Sequence, residues 1–200
     1  LTEPAAYDWD TIFKDAGWIH LSGITPALSS LAAESTLVAA KQAKSKNINV
    51  SLDLNYRKNL WNWSKNKTSR ELAKETMNKI LPYVDVLIAN EEDCSDILDI
   101  KADNTDVSKG SIDAAKYTEV AKNVSLMFNN ISVVAITLRE SHSATHNSWG
   151  AMLYDYKSDR SYFSPLDDNK YSPYEIRSIV DRVGGGDAFA AGTNLCISIR

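Results

Sequence analysis

Short apolar runs alternate with longer amphipathic stretches along the chain. Residues 18–22, 48–53, 84–89 and 132–138 are nearly continuous apolar segments, the pattern of strands buried on both faces. Between them, residues 29–46 carry an Ala/Leu face and a Lys-rich end, and read as a helix. Residues 69–81, closed by Pro82, together with 91–98 and 111–128, read as further helices. Buried strands separated by helices predict an α/β fold, a three-layer α/β/α sandwich with a mostly parallel central sheet. Residues 151–156 and 160–163, joined by a short polar turn, read as an antiparallel hairpin, and 62–68 and 140–148 as polar loops. No repeat or interdomain linker interrupts the pattern, so residues 1–200 are read as a single domain.

In open α/β sheets, ligands bind beyond the carboxyl ends of the strands. Four polar segments follow the four strands: Ser22-Gly23-Ile24-Thr25-Pro26, Asp53-Leu54-Asn55-Tyr56-Arg57, Asn90-Glu91-Glu92-Asp93 and Thr137-Leu138-Arg139-Glu140. Near the end stands Gly184-Gly185-Gly186-Asp187, followed by a helical stretch over 188–199. Bare glycine backbone at a helix start offers outward N–H groups and the positive end of the helix dipole, a site suited to phosphate. A carboxylate beside bound phosphate needs a task, and taking a proton from an attacking hydroxyl is the natural one. The same residues also suit a plain glycine turn with Asp187 as the N-cap.

Composition narrows the class. The chain is 44% hydrophobic and 24% charged with a net charge of −4, ordinary for a soluble protein and without a basic stripe for nucleic acid. Cys94 and Cys196 have neither metal-site spacing nor a disulfide framework. No apolar run is long enough to span a membrane, and no signal peptide is visible. The sequons at Asn66, Asn123 and Asn130 then read as chance matches, and the expected compartment is the cytoplasm. The chain begins without Met and stops inside a helical stretch, so an internal piece of a longer protein is expected.

Gly184-Gly185-Gly186-Asp187-Ala188-Phe189-Ala190-Ala191-Gly192 resembles the second signature of the PfkB (ribokinase-like) carbohydrate kinases. Asp53-Leu54-Asn55-Tyr56-Arg57 and Asn90-Glu91-Glu92-Asp93 match two further blocks of that family in the right order. Val180-Asp181-Arg182-Val183 and His20-Leu21-Ser22-Gly23-Ile24-Thr25 are similar to the 2-keto-3-deoxygluconate kinases within it. The resemblance implies transfer of the ATP γ-phosphate to a sugar-acid hydroxyl, giving the 6-phosphate of 2-keto-3-deoxygluconate. It makes Asp187 the base and Gly184, Gly185 and Gly186 the anion hole. Arg57 would meet phosphate or the acid end of the substrate, and the Ile24 backbone would touch the sugar acid. Asn55, Tyr56, Arg57, Thr137 and Arg139 would lie on the nucleotide side. Asn90 and Asp93 would organise Mg²⁺ through water. The resemblance further implies that the sugar-binding lid lies upstream, that the end of the nucleotide pocket lies downstream, and that the intact parent is a homo-oligomer. The piece alone would be a monomer, or associate by other contacts, and turn over little or nothing. Asp93 replaces the Glu of many relatives, and Arg139 replaces their Gly.

Other residues have plainer readings. His142 and His146 are four apart, but in a loop-like segment without a third ligand. His20 reads as a hydrogen-bonded core or rim residue. No serine has a nucleophile-elbow context. Trp61 and Trp63 read as caps on a core edge or as part of a partner surface. Glu91, Glu92 and Asp93 also suit the first turn of a helix. Two alternatives to the sugar-acid kinase stay open: a fructokinase- or ribokinase-type enzyme, and a non-catalytic nucleotide-binding remnant.

Overall fold

A computed structural model describes residues 3–100, 114–143, 145–181 and 183–199 of the chain. The element order is α1 (Trp9–Ile12), β1 (Trp18–Ser22), α2 (Ile24–Ala27), α3 (Ser30–Ser45), β2 (Asn49–Asp53), α4 (Ser69–Ile80), β3 (Val86–Ala89), α5 (Glu91–Leu98) and α6 (Ala114–Met127). Then come β4 (Val133–Ser141), β5 (His146–Asp155), β6 (Arg160–Ser164), β7 (Leu166–Asp167), β8 (Lys170–Tyr171), β9 (Tyr174–Arg177) and α7 (Gly185–Ser198). The beginning of the expected helix 111–128 and the motif residue Arg182 lie outside the described residues.

Helix starts follow local chemistry. Ser29 caps α3 by accepting from the Ala32 amide at 3.1 Å. Thr68 and Glu71 form a reciprocal capping box at the start of α4. Asn90 caps α5 and accepts from the Asp93 amide at 2.7 Å, with Glu91, Glu92 and Asp93 in the favourable first turn.

Among the described residues the main sheet has seven strands, in the order β1-β2-β3-β4-β5-β6, with β9 also paired to β5. β1 to β4 run parallel, and β5, β6 and β9 are added antiparallel. One face carries Val50, Leu52, Leu87, Val134 and Ile136, packed with α-helical residues such as Ala40, Met77, Ile97 and Val124. On the other face Ile88 and Ala135 pack against Ala190 and Phe189 of α7. Helices on both faces give the three layers expected.

Two boundaries differ from the sequence reading. Residues 140–148 are not simply a loop, because β4 runs to Ser141 and β5 starts at His146. Polar side chains sustain this extension: Ser141 Oγ donates to Asn147 Oδ1 at 3.1 Å, and His142 Nε2 lies 2.6 Å from Ser148 Oγ. The final helix begins at Gly185 rather than after Asp187. Its N-cap is Gly184, in the left-handed region at φ 82°, so Asp187 lies in the first turn and is not the cap.

The other candidates take their plainer roles. Trp61 is buried in the main core and Trp63 packs against it, donating to the Pro26 carbonyl at 3.2 Å. Both cysteines are free. Among the described residues no group of three His, Cys, Asp or Glu could hold a metal, and no helix is long and apolar enough to cross a membrane.

Candidate functional site

Strand register gathers the polar rim. Ser22 pairs with Asp53, Asp53 with Ile88, and Ile88 with Ala135, one row across β1 to β4. One pleat earlier on the same face, His20 pairs with Ser51. α7 lies over these rows, through Ala190 on Ile88 and Ala135 and through Asn194 Nδ2, 3.2 Å from His20 Nδ1.

The close approach of β1 and β2 needs glycine. Gly23 donates its N–H to the Asp53 carbonyl at 2.8 Å. A Cβ on Gly23 would stand 2.0 Å from the Leu54 oxygen. Ile24, the first residue of α2, is thereby held beside the β2 loop, its amide 3.3 Å from Ser22 Oγ.

The β2 loop is self-bracing. Asp53 Oδ1 accepts from the Asn55 amide at 3.1 Å, an Asx turn that supports Asn55 at φ 38°. The Tyr56 amide donates to Asp93 Oδ1 at 3.3 Å, joining this loop to α5. The Tyr56 ring packs against the main core. Arg57 extends outward, exposed, with Nη1 3.3 Å from the Tyr56 carbonyl.

Arg57 and Asp187 act electrostatically on Asp53, and Asp53 and Arg57 act on Asp93. The Asp53 carboxyl is pushed up to about 6, by burial first and with a smaller push from Asp187, against the opposing Asn55 N–H and Arg57 guanidinium. Asp93 is only 5% exposed and is pushed up to about 7, by burial first and by Asp53 second. The Tyr56 N–H, Arg57 and the Asn90 contact pull it down. Burial lowers His20, and the nearby Asp187 opposes that shift.

Asp187 itself is exposed, as are Gly184, Gly185 and Gly186. A Cβ on Gly186 would meet nothing within 4 Å, and one on Gly185 only Trp149, at 4.0 Å. Among the described residues the α7 N-terminus therefore opens onto free space, with first-turn N–H groups that have no partner inside the helix.

The structure thus brings together Asp53, Asn55, Tyr56, Arg57, Asn90, Asp93 and Asp187. Thr137 and Arg139 stand on the β5 side of this group. Thr137 is half-buried opposite Ala151, and Arg139 is exposed opposite Trp149, whose ring a Cβ on Gly185 would meet at 4.0 Å. An apolar cleft of about 350 Å³ between α7 and β4 to β6, lined by residues such as Leu153, Tyr162, Phe189 and Cys196, is a separate feature. The sequence assigns no role to Asp53, Trp149 or Asn194. For Asp53 the signal is a carboxylate at the carboxyl end of a buried parallel strand. Trp149 and Asn194 have no comparable signal, since each matters only through a distant neighbour.

No profile of a known protein family matches the chain. It is similar to the crystal structure of 2-dehydro-3-deoxygluconokinase from Thermotoga maritima, with 39% identity and a TM-score of 0.79, covering 94% of this chain and 51% of that protein. A PfkB family carbohydrate kinase from Listeria grayi matches at 30% identity and a TM-score of 0.74, over 93% of this chain and 49% of its own. The 2-dehydro-3-deoxygalactonokinase of Haloferax volcanii is 36% identical over 92 residues, which are 46% of this chain and 27% of that protein. The chain therefore spans about half the length of these solved relatives, and a smaller part of the Haloferax protein. Over that shared part, the chain is similar in sequence and in fold to PfkB (ribokinase-like) carbohydrate kinases.

Proposed function

We propose that the intact protein phosphorylates a 2-keto-3-deoxy sugar acid with ATP, and that Asp187 is the general base. The observation that carries this reading is the convergence of Asp187, Arg57, Asp53 and Asp93 on one rim beside an open, glycine-lined helix start. Likeness to a 2-dehydro-3-deoxygluconokinase supports the substrate class.

In the step proposed, the sugar hydroxyl oxygen attacks the γ-phosphorus. The bond from that phosphorus to the β–γ bridging oxygen breaks, ADP leaves, and the hydroxyl proton passes to Asp187. The N–H groups at Gly185 and Gly186 face the charge that grows on the transferring phosphoryl oxygens. Arg57, planar and exposed, meets the substrate carboxylate or a phosphate. The Ile24 backbone borders the sugar, and Asn55, Thr137 and Arg139 lie toward the nucleotide.

The donor set suits Mg²⁺ carried with the nucleotide. Asp93 and Asp53 offer hard oxygens in a crowded, mutually repelling pair, while the Asn90 oxygen is already engaged as the α5 cap. Two carboxylates acting through water fit an ion that keeps much of its hydration shell. When bound, Mg²⁺ would offset phosphate charge. The remaining sugar-binding and nucleotide-binding portions belong, in this reading, to parts of the intact protein outside these residues.

A second substrate has specific support, because the Haloferax relative is named for the galactonate compound. The two acids differ in the configuration of one hydroxyl. The test is an ADP-release assay on the intact protein with both acids, fructose and ribose, the product site being read by phosphorus NMR. Preferred phosphorylation of either acid at its 6-hydroxyl is expected. Preference for a neutral sugar, or ATP binding without turnover on any of the four, would overturn the reading.

A further inference from the structure

We propose that His20 and Asn194 are positioning residues: the hydrogen bond between them fixes the rotation of α7 on the sheet and so aims Asp187 at the Asp53–Arg57 rim. The proposal rests on the reading of Asp187 as the base.

Asp187, Ala190 and Asn194 are spaced by three and four, which puts them on one face of α7. Each meets the sheet differently. Asp187 acts electrostatically on His20 and Asp53. Ala190, 2% exposed, rests on Ile88 and Ala135. With the part-buried Phe189 packed beside it, this contact holds the helix down, but apolar contact is non-directional and tolerates a small roll. The N-terminal end does not set it either. A Cβ on Gly184 or Gly186 would meet nothing within 4 Å, and the chain enters α7 through Gly184 at φ 82°.

The Asn194–His20 contact supplies direction. Asn194 Nδ2 lies 3.2 Å from His20 Nδ1, and a hydrogen bond is sensitive to angle. His20 is itself anchored, its Nδ1 also 2.8 Å from Ser51 Oγ. Ser51 is fully buried and accepts from Trp18 Nε1 at 2.9 Å. A chain from Asn194 through His20 and Ser51 to Trp18 thus ties α7 to β1 and β2. Burial lowers His20 and so favours the neutral ring; with Nδ1 unprotonated, its one lone pair is shared between the Asn194 amide and the Ser51 hydroxyl.

The lever is short. Asn194 is two turns from Asp187, and a helical side chain ends about 6 Å from the axis. A roll of about 10° then moves the Asp187 carboxylate by about 1 Å, a displacement that can cost about a hundredfold in rate.

The test uses the intact protein with Asn194→Ala, His20→Leu, the double variant, and His20→Asn, whose amide oxygen can take the place of Nδ1. Each single loss should lower kcat about tenfold while KM for ATP stays within about twofold, the mark of a misplaced rather than a missing group. The double should be no worse than the worse single, because both remove one contact. His20→Asn should recover to within about threefold of the parent, since the acceptor is restored. Hydrogen exchange at residues 188–191 should be about tenfold faster in both single variants. Additive losses in the double, a change in KM alone, or a His20→Asn as impaired as His20→Leu would overturn the proposal. Normal turnover by Asp187→Asn would overturn the base reading instead, leaving the exchange coupling of His20 and Asn194 as measured.

Discussion

Asp53 and Asp93 lie at the ends of neighbouring elements, β2 and the first turn of α5, and each ionises against the other's charge. Asp53 is raised to about 6 and Asp93 to about 7, with burial as the larger cause in both. A carboxyl raised in the folded state holds its proton longer than the same group unfolded. Between about pH 4 and pH 7 the folded chain therefore binds more protons, and this pair lowers stability as pH rises through that window. Asp93→Asn keeps the acceptor for the Tyr56 amide and removes the titration. Thermal melting from pH 4.5 to 8.5 should show a flatter profile for Asp93→Asn, with a midpoint higher by at least about 2 °C at pH 8.

Arg57 pulls down both acids and makes no hydrogen bond to either. Arg57→Ala should leave the fold intact and raise the apparent pKa of Asp53 and Asp93, read by carboxyl carbon NMR. In the intact protein, the sugar-acid KM should rise at least about tenfold and kcat should fall as well, because this charge is met both before and in the transition state.

Gly23 has no room for a side chain. Its Cβ would stand 2.0 Å from the Leu54 oxygen and 2.6 Å from Met77 Cε. Gly23→Ala should destabilise by about 3 kcal/mol, the cost of forcing β1 from the β2 loop. Urea unfolding measures it.

Gly186 presents the opposite case. It sits in the first turn of α7 with nothing within 4 Å of an added Cβ and no positive φ. Neither packing nor backbone conformation calls for glycine there. Gly186→Ala should leave the melting temperature equal or higher, since alanine suits a helix better by about 0.5–1 kcal/mol. If phosphate approaches this turn, kcat/KM should fall about a hundredfold.

β1 to β4 were legible because parallel strands buried on both faces are written as apolar runs. Val86-Leu87-Ile88-Ala89 is buried throughout. The rim was legible for a related reason, since polar residues directly after such runs lie at the carboxyl ends of strands. The extension of β4 and β5 past Leu138 was not, because there the ladder carries Glu140, Ser141, Asn147 and Ser148 in place of apolar residues. β9 was also hidden, as every residue of Tyr174–Arg177 is exposed. The helical glycines at 185 and 186 read as a turn, because first-turn residues need no intrahelical N–H partner and propensity says little about them. The Asn194–His20 contact joins residues 174 positions apart, and neither side chain advertises it.

The central claim is that Asp187 takes the proton of the attacking hydroxyl, and the turnover of Asp187→Asn in the intact protein tests it most directly. The side chain is exposed and is not the cap of α7, and among the described residues it accepts no hydrogen bond, so folding and ATP affinity should be unchanged. With the base removed, kcat on the sugar acid should fall by about two to four orders of magnitude. A kcat within about threefold of the parent would contradict the claim and leave Asp187 as an ordinary acidic residue in the first turn of α7.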